Sequence, residues 1–208
     1  MWIYKNICCL IVIFMATDLL AQDMVKVYYD NGNLKSEGLL KDGRREGCWR
    51  FYYPNQLPNS EECYLDGQLH GTVKSYDFEG RLISIENYQN GMEQDSAFYY
   101  YPEGMLKRKG VFKDGLYEGV WLSYHENGRL SQFGEYVLGM PDGPWRFYDM
   151  EGNMTHEGEY REAKETGLWK IYDSRGFLYE EGEMDAGTRI GVWRQYNKKG
   201  KVVKTRLY

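Results

Sequence analysis

The side chains best equipped for chemistry in this chain are three histidines, four cysteines and a scatter of carboxylates. Their spacing argues against a catalytic centre. His70, His125 and His156 share no periodic interval, so regular folding does not gather them, and a catalytic reading needs convergent polar groups. The sequence has no His-Glu-x-x-His pair, no phosphate-cradling Gly-x-x-x-x-Gly-Lys loop and no Gly-x-Ser-x-Gly elbow. It also lacks a Cys-x-x-Cys pair of the kind that holds structural zinc. Asp42, Glu46, Asp66, Asp114, Glu118 and Asp142 would bind a cation only if several oxygens converged on one point. Strung singly along the chain, they read as solvated turn residues. The expectation is a protein that is not an enzyme, with no catalytic residue, cofactor or metal ligand.

The elements that carry these residues follow a strict period. Trp49, Trp121, Trp145, Trp169 and Trp193 are separated by multiples of 24 residues, with Val73 and Ala97 in the two intervening slots. Three residues after each slot stands a tyrosine: Tyr52, Tyr76, Tyr100, Tyr124, Tyr148, Tyr172 and Tyr196. A period of this length marks a repeat array. Each unit has two runs rich in aromatic and β-branched residues, such as Val120-Trp121-Leu122-Ser123-Tyr124, which suit strands. The runs are separated by two turn signals. One is the stretch Asp30-Asn31-Gly32, echoed by Glu126-Asn127-Gly128. The other, Lys113-Asp114-Gly115 through Gly119, reads as a longer turn bracketed by glycines. No interval has room for a useful helix. The reading is all-β: an elongated array of antiparallel hairpins in a single twisted meander sheet. Two strands per unit at about 4.8 Å each make seven to eight units roughly 70–80 Å long.

If the Asp-Asn-Gly turn is the hairpin tip, Trp121 lies opposite Gly134, Trp145 opposite Gly158 and Trp169 opposite Gly182. A ring over a cross-strand glycine would cover bare backbone, although Trp49 then faces Glu62 and Trp193 faces Arg206. The same register sets Cys48 against Cys63, leaving two readings open: a cross-strand disulfide or two packed thiols. In a straight strand Trp121 and Tyr124 point to opposite faces, so one face would carry tryptophans and the other tyrosines. The cations Lys198, Lys199, Lys201, Lys204 and Arg206 are read as protecting an edge strand, with a basic docking site as the alternative.

The signature Gly-x-Trp-x-x-Tyr, a glycine turn, then Gly-x-Tyr resembles the MORN repeat in its bacterial variant form. Gly119-Val120-Trp121-Leu122-Ser123-Tyr124, Asn127-Gly128 and Gly134-Glu135-Tyr136 are a good copy, and the resemblance covers about residues 25–208. It implies an elongated sheet used as a scaffold or binding surface. Members of this variant are often labelled antitoxins of toxin–antitoxin systems, which implies, as the alternative function, neutralising a partner toxin by direct binding. The units holding Pro54, Gln56, Pro58, Glu62, Val73, Glu86, Asp95 and Ala97 depart most from the pattern, and read as a bend, a specialised patch or drift.

The formal net charge of −5 and the absence of a basic stripe weigh against nucleic acid and give no strong membrane-binding signal in the mature chain. The expected partner is a protein whose identity the sequence does not name. At the N-terminus, Lys5 precedes an apolar run from Ile7 to Ala16, followed by Ala21-Gln22. Residues 1–21 thus have the layout of a secretory signal peptide, leaving 22–208 as the array. An exported protein is expected, with a cytoplasmic one as the alternative. Cys8 and Cys9 would leave with the signal. Intact-mass measurement of the protein from its native cells should find a mature chain starting near Gln22; retention of residues 1–21 would favour the cytoplasm.

Overall fold

The computed structural model describes residues 23–208; the proposed signal peptide, Cys8 and Cys9 lie outside them. All regular structure among the described residues is β. In chain order the strands are β1 (Asp23–Tyr28), β2 (Leu34–Lys41), β3 (Arg44–Tyr52), β4 (Pro58–Leu65), β5 (Gln68–Tyr76), β6 (Leu82–Gln89), β7 (Met92–Glu93), β8 (Asp95–Tyr100) and β9 (Leu106–Lys113). They continue as β10 (Leu116–Tyr124), β11 (Leu130–Val137), β12 (Met140–Tyr148), β13 (Met154–Arg161), β14 (Lys164–Tyr172), β15 (Leu178–Asp185), β16 (Thr188–Tyr196) and β17 (Val202–Leu207). Each strand pairs antiparallel with the next, forming one open meander. The exception is β6, which pairs with both β7 and β8 because Gln94 interrupts what is otherwise a single strand.

Two kinds of turn alternate. The tip turn closes as Tyr29 N–H bonds to Asn33 O at 2.8 Å and Gly32 N–H to Tyr29 O at 2.9 Å, with Gly32 at φ 83°. The other turn is shorter than the glycine bracket suggests. Asp114 and Gly115, at φ 53° and 77°, form a two-residue hairpin loop with positive φ at both positions, the geometry that matches strand twist. Gly119, also at positive φ, lies inside β10. There Gly119, Val120 and Trp121 stand against Gly110 alone, so the second glycine builds a bulge rather than ending a turn.

The predicted register is the one found: Trp121 pairs with Gly134, Trp145 with Gly158, Trp169 with Gly182, Trp49 with Glu62 and Trp193 with Arg206. The rings, however, lean the other way. Each indole covers the glycine eleven residues before it, on the preceding strand: Gly38 under Trp49, Gly110 under Trp121, Gly134 under Trp145, Gly158 under Trp169 and Gly182 under Trp193. The reason lies at the bulge. It releases a backbone carbonyl on the preceding strand, and in four of the five units the indole N–H takes it: Trp49 donates to Leu39 O at 2.9 Å, Trp121 to Val111 O at 3.1 Å, Trp145 to Glu135 O at 3.2 Å and Trp193 to Glu183 O at 3.1 Å, while Trp169 leans the same way without such a bond. The exceptions to the expected pattern thereby vanish, since Trp49 and Trp193 have their glycines too. None of the five rings is more than 6% exposed.

Trp121→Ala should cost about 3–5 kcal/mol, as deletion of a buried aromatic does. Gly110→Ala, which puts a methyl group where the Trp121 ring lies, should cost about 1–3 kcal/mol through overpacking. Urea unfolding gives the magnitudes, and hydrogen exchange the location. Loss of protection concentrated in β8 to β11 fits a neighbour-coupled array; uniform loss over the whole sheet contradicts it.

Candidate functional site

The two faces of the sheet differ in chemistry. One is aromatic. Around Trp121 lie Phe112 and Tyr117, with ring centroids 5.1 and 4.4 Å away, both edge-on. Tyr136 and Tyr160 flank Trp145 at 5.3 and 5.1 Å. Guanidinium groups cap the stripe: Arg45, Arg108 and Arg189 stand 5.0, 4.4 and 3.8 Å from the centroids of Trp49, Trp121 and Trp193. Such packing supplies stabilisation through edge-to-face and cation–π contacts and leaves the indoles little free surface.

The interior of this face changes where the tryptophan slot holds Val73 and Ala97. Eleven residues before them stand Glu62 and Glu86 instead of glycine. Their carboxylates accept bonds from Tyr64, from Ser60 at 2.7 Å, and from Tyr99 at 2.5 Å.

The opposite face carries the repeat tyrosines and a ladder of directly paired side chains. Starting at Lys26, successive cross-strand partners are Glu37, Arg50, Glu61 and Lys74. The ladder then runs Ile85, Phe98, Lys109, Leu122 and Phe133. It returns to charge with Arg146, Glu157, Lys170, Glu181 and Arg194. Lys26 bridges Glu37 at 3.2 Å, Lys74 bridges Glu61 at 3.4 Å, and Lys170 bridges Glu157 at 3.7 Å. Tyr52, Tyr172 and Tyr196 donate to Glu37, Glu157 and Glu181 at 3.1, 2.6 and 2.5 Å. The middle of the ladder is apolar, and beside it Val111 and Val120 are 41% and 43% exposed. Periodicity alone contained the signal: Arg50, Lys74, Phe98, Leu122, Arg146, Lys170 and Arg194 are 24 residues apart, as are Glu37, Glu61, Ile85, Lys109, Phe133, Glu157 and Glu181. It becomes meaningful only once the register joins the two columns.

Cys48 and Cys63 are directly paired and bonded through their sulfurs on this same face. Beside them opens a groove of about 480 Å³ lined by Glu37, Arg50, Glu61 and Lys74.

The histidines sit apart, in β5, after β10 and in β13. His125 Nε2 donates to Tyr148 O at 2.9 Å. The hydroxyls of Tyr29, Tyr53 and Tyr101 make the same bond to the carbonyl 23 residues onward, so His125 fills a structural slot linking neighbouring tip turns. His156 meets Thr155 Oγ1 at 2.9 Å. The turn acids have backbone partners as well: Glu46, Glu118 and Asp142 accept from the N–H groups of Asp66, Leu138 and Glu162 at 3.0–3.2 Å.

Residues 24–42, 69–90, 96–114 and 117–136 match the family model described as MORN repeat variant. No curated protein matches the chain. Two solved structures, titled TcdB2-TccC3-TEV and TcdB2-TccC3-Cdc42, are similar over 88% of this chain at 13% and 12% identity, each with a TM-score of 0.24. The chain spans 12% and 14% of the lengths of those chains.

Burial pushes the hydroxyls of Tyr64 and Tyr88 up to about 12, helped by Glu62 and by Glu86 and Glu93. An unfolded tyrosine titrates near 10.0, so between these values the folded chain holds protons that the unfolded chain has released. Stability from these groups is fully present below pH about 10 and lost as pH rises towards 12. The urea midpoint should therefore fall between pH 9 and pH 11, and Tyr64→Phe with Tyr88→Phe should flatten that fall. An unchanged pH slope in the double variant would assign the loss elsewhere.

Proposed function

We propose that this chain, built as an array of MORN-variant repeats, is an exported non-enzymatic scaffold. On this reading it binds another protein through the sheet face opposite the tryptophans. Repeats of this family are protein- or membrane-binding modules, and the family is a scaffold rather than a known enzyme family. The observation that carries the choice of face is the break in the charged ladder at Ile85, Phe98, Leu122 and Phe133. Alternating ions would hold the strands equally well there, and a cluster of apolar groups on a solvent-facing surface marks a contact site; the four are half-buried and flanked by the exposed Val111 and Val120. The tryptophan face is occupied by its own rings and guanidinium caps. A protein partner is favoured over an anionic membrane because the ladder alternates in sign rather than forming a basic patch.

A photo-crosslinking side chain at Leu122 should trap protein adducts in cells, and one at Ser123, its neighbour on the tryptophan face, should trap few. Adducts confined to Ser123, or absent from both positions, would overturn the assignment. A single toxin or enzyme trapped at Leu122 in equal amount would identify the scaffold as a neutraliser.

A further inference from the structure

The ladder is self-complementary. Place a two-fold axis parallel to the strands, midway between the Lys109 and Leu122 rungs, and bring a second copy face to face. Phe98 then meets Phe133 of the copy, and Ile85 meets the aliphatic stem of Arg146, a side chain that already lies 5.3 Å from its own Phe133 ring. Lys109 lies over Leu122, its long stem covering the apolar group while its ammonium reaches outward. Moving outward, Lys74 meets Glu157 and Glu61 meets Lys170, and each pair occurs twice by symmetry.

Axes centred on a rung, or running along the ladder, fail. An axis through the Lys109 rung sets Lys74 against Arg146 and Glu61 against Glu157. An axis through the Leu122 rung sets Lys74 against Lys170. An axis running along the ladder faces every charge with its own copy. Like charges juxtaposed across an interface disfavour it, so the axis must lie between rungs. An axis between Phe98 and Lys109 also pairs opposite charges, Glu61 with Arg146, but sets the Lys74 ammonium against Phe133; the axis between Lys109 and Leu122 is the one that joins the Phe98 and Phe133 rings.

Resting on the proposed binding face, we infer that its occupant is a second copy of this chain, joined as a face-to-face two-fold dimer centred between Lys109 and Leu122. The apolar rungs from Ile85 to Phe133 span about 20 Å at about 4.8 Å per strand, enough for a central contact. Sheets packed face to face cross at about 30°, so the ladders diverge from the axis and the innermost ion pair, Lys74 with Glu157, matters most. Both side chains are accessible: Lys74 is 43% and Glu157 29% exposed. The isologous geometry closes on itself and gives a dimer rather than a filament.

The test is a charge exchange read by analytical ultracentrifugation on the protein as its cells process it. The unaltered chain should be dimeric. Lys74→Glu and Glu157→Lys, each alone, place like charges at both symmetry-related positions and should weaken dimerisation by about tenfold or more. Mixed in equal amounts they restore opposite charge at both positions, and the mixed dimer should form with near-original affinity. That recovery shows that neither variant failed by misfolding. Leu122→Asp should give a monomer with an unchanged β-sheet circular dichroism spectrum. A monomeric unaltered chain would overturn the self-association, and single variants that dimerise undiminished would overturn the proposed register. If the crosslinker at Leu122 nonetheless traps a different protein, the binding face survives and only the occupant is wrong; if it traps nothing, both fall together.

Discussion

The structure depends on one contact repeated along the sheet: an indole laid across the backbone of a glycine on the strand before it. The tryptophan belongs to the first strand of one tip hairpin, and its glycine to the second strand of the preceding hairpin, as with Trp121 over Gly110. The ring therefore couples neighbouring units rather than bracing its own. Without it, isolated two-stranded hairpins would be marginal in water. With it, each unit completes the next, which is the nearest-neighbour logic of repeat proteins. The bulge at Gly119 belongs to the same device, because a regular ladder would leave no carbonyl free for the indole N–H.

This coupling explains the units that depart from the pattern. Val73 and Ala97 replace the ring, and Glu62 and Glu86 replace the glycine beneath it. Gain of a side chain on one strand accompanies loss of bulk on the next, so the volume between strands is approximately conserved, as packed interiors require. The two carboxylates are then held by the hydroxyls of Tyr64, Ser60 and Tyr99, which meets the demand that buried acceptors find donors. These four departures are paired substitutions at one contact. A bend or drift need not be invoked for Glu62, Val73, Glu86 and Ala97.

Much of the architecture was legible before any coordinates. The unbroken period fixed the meander, and symmetry about the tip turn fixed the register, including the pairing of Cys48 with Cys63. Strand alternation separated tryptophans from tyrosines. What remained hidden depends on backbone detail that residue types do not encode. Gly115 and Gly119 look alike in sequence, yet one completes a two-residue turn and the other opens a bulge. Direct pairing does not say to which side a ring leans, so Trp121 could be matched to Gly134 while covering Gly110. The ladder was written in the sequence but invisible as a surface, since its two 24-residue columns interleave on alternate strands and meet only through the register.

The division of labour between the faces has an energetic basis. Exposed cross-strand ion pairs contribute little, about 0–1 kcal/mol each, and an apolar cross-strand pair contributes a comparable amount. Replacing Glu and Lys by Ile85, Phe98, Leu122 and Phe133 therefore leaves the array about as stable as before, while the tryptophan–glycine contacts beneath are untouched. The ladder face can change its recognition chemistry at small cost to the fold, whereas the tryptophan face cannot change without uncoupling adjacent units. A binding function is thus expected to reside where substitution is nearly neutral for stability. On the proposed reading, that place in this chain is the apolar centre of an otherwise alternating ladder.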